Sequence, residues 1–180
     1  KLPAEILRRY PDIPALAVEF IEQVDRCVRS DDTCWFLTAA DFSGTPTDSA
    51  YAWDEWERMA LEDADEDYAK EARAFWDRHL PILFSVEGDY QFMAINVDKA
   101  SKSFGAVVEA EALAFEDISV WASSFEQFLK DIVVCVDDPA FDGLVGLHVL
   151  TPEQHEGRRP AREKARAGKS FLGRLLKRSG

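Results

Sequence analysis

Asp63, Asp65 and Asp67 stand at the spacing of the first three ligands of a calcium-binding loop. Such a loop needs glycine at its sixth position for the sharp turn and a bidentate glutamate at its twelfth. Those positions hold Tyr68 and Ala74, so the three carboxylates read instead as a solvated acidic face. Gly168-Lys169-Ser170 ends like a phosphate-binding loop, but the glycine required five residues earlier is Glu163, and no strand pattern precedes it. Zinc is not expected, because no CxxC or HxxxH occurs and His79, His148 and His155 are scattered. Cys27, Cys34 and Cys135 are odd in number, widely spaced and set among apolar residues, which argues for free buried thiols rather than a disulfide framework. No GxSxG elbow exists, and no Cys–His or Ser–His spacing suggests an activated nucleophile. Carboxylates are too abundant for any acid–base pair to stand out. His79, ahead of Leu80-Pro81, reads as a capping or packing histidine before it reads as a general base. The chain is therefore expected to be no enzyme and to hold no cofactor or metal.

What remains is chemistry for binding. Trp53 and Trp56 fall on one face of a helical pattern, either as packing or as a ligand platform, and a partly exposed tryptophan makes a natural hot spot for a protein partner. The formal net charge of the 180 residues is −13, unevenly placed. Residues 151–180 carry nine Lys/Arg against three Glu, a balance of +6, which leaves −19 on residues 1–150. Such a body repels nucleic acid and anionic membrane and attracts basic partners. Acidic surfaces also simply keep proteins in solution.

These residues need a scaffold. The length suits one domain with one sizeable core, and no run approaches the roughly 20 apolar residues of a membrane span. Lys1–Tyr10 carries Glu5, Arg8 and Arg9 and is not followed by an apolar stretch, so no secretory signal is expected and a cytoplasmic location is. Ala4–Arg9 is a short helix opened by Pro3. Ile13, Leu16, Ala17, Phe20, Ile21, Val24 and Val28 recur at helical spacing and predict an amphipathic helix lying on a sheet. Cys34–Thr38 reads as a strand, and Asp41–Ser49 as a loop. Two further helices follow, one around Trp53–Ala60 and one from Tyr68 to Leu80. Between them Glu62–Asp67 is a helix junction or a charged face.

After Pro81 the period becomes two. Ile82–Val86 and Tyr90–Val97 are predicted strands joined by the tight turn Glu87-Gly88-Asp89. Gly105–Ala110 is a third strand, and Ile118–Trp121 a fourth or the start of a helix. Ser123 with Glu126, or Ser124 with Gln127, has capping-box spacing ahead of the stripe Phe125, Phe128, Leu129 and Ile132. Leu144–Leu150 is a candidate late strand. The fold class expected is α+β: one domain over 1–150, a mainly antiparallel meander with helices packed against it. Residues 151–180 are expected to be a basic, mobile tail outside it. Phe171, Leu172, Leu175 and Leu176 in that tail have the spacing of a basic amphipathic helix, or the tail folds back on the acidic body, or it only solubilises.

One ordered set of motifs is more specific than any single one. Cys34-Trp35-Phe36-Leu37 comes first, with Trp53 on the next helix. Pro81-Ile82-Leu83-Phe84 then leads into Glu87-Gly88-Asp89-Tyr90, followed by Gly105-Ala106-Val107-Val108 and by Ser124-Phe125-Glu126-Gln127-Phe128-Leu129. In this order, over roughly residues 13 to 136, the chain resembles the SUKH superfamily, which includes a fungal cell-wall-assembly regulator and many bacterial immunity proteins. The resemblance implies an α+β fold without family-wide catalysis or cofactor. It also implies a role in binding and neutralising a toxin, often a nuclease. The candidate partner-binding residues are Trp53, Trp56, Glu87, Gly88 and Asp89. The alternative is a regulatory or scaffolding module with the basic tail as a second contact. Partner and oligomeric state are not readable from the sequence.

Overall fold

A computed structural model describes residues 1–29, 31–47, 49–86, 90–111 and 115–137, with side chains through residue 133. The order is α1 (Ala4–Arg9), α2 (Ala15–Gln23), β1 (Cys34–Phe36), α3 (Ala39–Phe42), α4 (Glu55–Leu61), α5 (Glu66–Trp76), β2 (His79–Ser85), β3 (Gln91–Asn96), β4 (Val107–Glu111), a 3-10 turn (Phe115–Asp117), β5 (Ser119–Ala122) and α6 (Phe125–Asp137). The five strands form one antiparallel sheet in the order β1-β2-β3-β4-β5, the α+β meander that the sequence pattern predicts. Lys1–Phe128 make one compact unit. The expected boundary at 150, the late strand and the tail lie outside the described residues. Among the described residues no helix is long and apolar enough to cross a membrane.

Both faces of the sheet are covered, and β1 shows how the chain achieves it. Its successive side chains point to opposite faces. Phe36 packs on Phe20 of α2 and Phe128 at the start of α6, with ring centroids 5.1 and 6.0 Å away. Trp35 lies on the other face against Phe84 and Tyr51. Phe84 is registered opposite Trp35 on one side and Phe92 on the other, so these three share that face. Trp56 of α4 rests on Phe84 at 5.1 Å, and Trp76 of α5 rests on Phe92 at 4.8 Å. With layers on both sides, β2 is buried along its whole length.

Pro81 sits inside this inner strand, which starts at His79 and not after the proline. A proline has no N–H for the ladder and is tolerated at a bulge. The register shifts at that point: Pro81 faces Ala94 while Leu83 faces Met93. The displaced Ile82 offers its carbonyl to Leu37 N–H at 2.9 Å, so the irregularity still joins β2 to the β1 side. α2 is shorter than its periodicity, ending at Val24, where the backbone is extended. Positions four apart share a face in a strand as well as in a helix. Val28 instead bridges to Trp35, and Cys27 O accepts from Phe36 N–H, so segment 27–29 closes the outer edge of β1.

Glu62–Asp67 joins α4 to α5, and its five acidic residues are all exposed, so the segment is a junction that also presents a charged face. Asp63 turns the chain in the left-handed region, at φ 59°, which a short polar side chain tolerates. Asp65 then caps α5, accepting from Tyr68 N–H at 2.9 Å. Ile118–Trp121 resolves to a strand, over Ser119–Ala122, and Ser124 caps α6 by accepting from Gln127 N–H.

Candidate functional site

The aromatic residues marked in the sequence for a partner do not share one environment. Trp56 is wholly buried, so it is a core residue and not a contact residue. Its helix is amphipathic, and its apolar face is the one that meets Phe84. Trp53 precedes α4 and is half-buried, packed on Phe42 at 5.5 Å. Glu87, Gly88 and Asp89 lie outside the described residues.

Two tyrosines that are not among the expected contact residues, exposed Tyr90 and half-buried Tyr51, lie over Trp56. Tyr90, just after the turn, is 44% exposed and stacks on the Trp56 ring at 5.5 Å, with the planes 26° apart. Tyr51 touches the same indole at 5.1 Å and meets Tyr90 edge-on at 5.9 Å. Trp35 stacks behind Tyr51 with its plane 14° away. The two hydroxyl oxygens are 3.5 Å apart, a weak contact. The neighbouring Tyr90 hydroxyl holds the Tyr51 proton above its ordinary pKa, with burial and Glu55 adding to the effect. Two rings of large area and few rotatable bonds are thus fixed on a buried tryptophan, which is what a partner hot spot needs.

Beside this pair lies a second aromatic and acidic unit, already occupied. Arg9 of α1 forks onto both carboxylate oxygens of Glu57 at 2.7 Å and reaches Asp77 at 2.9 Å. Its guanidinium carbon sits 5.3 Å from the Tyr10 ring centroid and 5.8 Å from that of Trp53.

A cleft of about 220 Å³ opens elsewhere, lined by Asp25, Cys27, Thr38 and Asp41 among others. Asp41 is its most buried carboxylate and is fully engaged. It accepts from Thr38 N–H and Oγ1 at 2.7 and 2.8 Å, from Thr47 at 2.7 Å and from Ser49 at 2.6 Å. Burial works to raise its pKa, and the bonds from Ser49, Thr47 and Thr38 outweigh it, so the group stays below the usual carboxylate value. A carboxylate held this way is a poor base; it ties the 43–49 loop to the start of α3. Burial pushes the Cys27 thiol up, away from the thiolate a nucleophile requires. Among the described residues no three His, Cys, Asp or Glu side chains are placed to hold a metal ion.

His79 is held by packing. Its Nδ1 lies 2.9 Å from Phe75 O and its ring stacks on Phe75 at 4.2 Å, a packing position at the end of α5. Nε2 is buried with no hydrogen-bond partner. Burial lowers its pKa, with Arg78 adding to the effect. The folded state therefore binds fewer protons than the unfolded chain, whose histidine titrates near 6.5. Stability is full above that value and falls as pH drops below it, by at most about 1.4 kcal/mol per pH unit. Urea midpoints at pH 7 and pH 5 should show the fall, and His79→Gln should flatten it. The loss below about pH 3.8 that Asp41 contributes should remain in the variant. An unchanged slope between pH 7 and 5 in His79→Gln would place the titrating group elsewhere.

Comparison of the chain with family models, with curated proteins and with solved structures returns no match.

Proposed function

We propose that this chain is a non-enzymatic protein-binding module of the immunity type, whose acidic body captures and neutralises a basic toxin. The observation that carries the reading is the Tyr51–Tyr90 pair, with Tyr90 exposed and Tyr51 half-buried, both packed on buried Trp56. Rigid aromatic area of this kind gives affinity at low entropic cost. The −19 carried by residues 1–150 adds the long-range attraction that speeds encounter with a cationic surface and sets specificity. The ordered SUKH-like motifs supply the immunity role. The engaged state of Asp41, the raised thiol of Cys27 and the packed His79 give no support to a hydrolytic centre.

The test is direct binding to the toxin-like product of the adjoining gene, together with survival of cells that express it. Tight binding and protection are expected. Tyr51→Ala and Tyr90→Ala should each weaken binding by about 30-fold, the loss typical of a hot spot. Neither binding nor protection by the unaltered chain would end the proposal. Binding that both alanine variants leave intact would move the partner off this face.

A further inference from the structure

We infer that the Tyr51–Tyr90 pair is a seat for an arginine guanidinium of the partner, in preference to a lysine ammonium or an apolar side chain. This rests on the reading just given and names the chemistry of its anchor. One face of Tyr90 lies on Trp56, so its 44% exposed area belongs to the opposite face, the edge and the hydroxyl. Tyr51 stands edge-on beside it at 66°, which makes an aromatic corner with two hydroxyls at its mouth. A purely apolar occupant would strip water from those hydroxyls without replacing their hydrogen bonds.

The molecule itself shows which group fits such a corner. Arg9 lies over Tyr10 and Trp53 while its fork binds Glu57 and its edge reaches Asp77, a guanidinium held by two rings and by carboxylates. The tyrosine corner likewise offers two rings, and Glu55 opens α4 four residues after Tyr51. Glu55 is joined to Arg58 by one bond of 3.0 Å, and Arg58 is largely exposed. Arg58 is 61% exposed and Glu55 22%, so the single bond between them is open to solvent on the arginine side, and an incoming guanidinium can compete for the carboxylate. The acidic body favours any cation at long range. At contact range a flat, weakly hydrated guanidinium stacks on aromatic faces, whereas an ammonium keeps its water.

The experiment titrates the full chain with two synthetic peptides of equal charge, an alternating glycine–arginine peptide and its glycine–lysine counterpart. Binding is followed through the ring resonances of Tyr51 and Tyr90 at about 0.15 M salt, where exposed charges more than about 8 Å apart are largely screened. The arginine peptide should bind about fivefold tighter, the scale of a partly exposed cation–π contact. Tyr90→Phe should keep the preference, and Tyr90→Leu should abolish it while an unchanged thermal midpoint shows the fold intact. Equal affinities, no binding of either peptide, or a preference that survives Tyr90→Leu would overturn the seat. Such a result would leave the toxin-binding proposal to its own assay, which fails only if the adjoining gene product is neither bound nor neutralised.

Discussion

Trp56→Ala is expected to cost the fold about 4 kcal/mol, the range for deleting a fully buried large aromatic ring. The indole is entirely out of solvent and touches Phe84, Tyr51 and Tyr90 at 5.1 to 5.5 Å. Three segments close on it: the stretch ahead of α4 through Tyr51, the sheet through Phe84 of β2, and Tyr90, which leads into β3. The space vacated cannot collapse from one side alone, so the cavity term is added to the lost transfer energy. Its Nε1 has no hydrogen-bond partner. Trp56→Phe therefore gives up ring volume without breaking a bond and should cost about 1.5 kcal/mol. Urea unfolding followed by far-ultraviolet dichroism separates the two variants. A loss below about 1 kcal/mol for the alanine variant would show that the site relaxes and that the ring does not brace the tyrosines. Against the 5–15 kcal/mol total stability usual for a domain, the expected loss is a large share.

The same residue shows where reading the sequence stops. Spacing places Trp56 on an apolar helix face, yet a face buried in a core and a face offered to a partner have the same pattern. What decides is the presence of Phe84, nearly thirty residues later, beneath it. Tyr51 is harder still. It lies outside α4, and its position is set by a stack on Trp35 from β1, which no local period encodes. Tyr90 had a signal, an aromatic directly after a Glu-Gly-Asp turn, but alternation assigns it equally well to a strand interior. The meander itself was legible because each strand carries its own apolar run. The exceptions have local causes: Pro81 looks like a strand boundary until the bulge at Ile82 is seen, and Val24 and Val28 satisfy helical and strand periods together.

Trp56 and the arginine beside it act at different ranges. The indole fixes two rings by contact, and its neighbours respond to volume. Arg9 joins α1 to α4 and to the end of α5, and its neighbours respond to charge. The occupied corner at Arg9 and the open corner at Tyr51–Tyr90 are thus built from like parts, one closed by the chain's own cation.

Breaking that closed corner should be the second most damaging single change. Glu57 is only 13% exposed and receives both arms of the fork at 2.7 Å. Arg9→Met keeps much of the aliphatic stem that packs near Tyr10 but leaves this carboxylate without its partner. An unpaired, fully buried charge costs about 3–5 kcal/mol, and the partial exposure of both groups reduces this to about 2 kcal/mol. Asp77 shares the guanidinium but is 61% exposed, so Asp77→Asn should change stability by less than about 0.5 kcal/mol. Burial works to lower the Arg9 pKa, while Glu57, Tyr10 and Asp77 raise it above its ordinary value, so the guanidinium is charged at any ordinary pH. In a double-mutant cycle, Arg9→Met with Glu57→Gln should cost less than the sum of the two single changes, by about 1–2 kcal/mol. The double variant no longer buries an unpaired charge, and a glutamine side chain can meet its neighbours as a neutral group. Strict additivity would mean that Arg9 holds α1 through its stem and its two aromatic neighbours, with the fork onto Glu57 contributing nothing of its own.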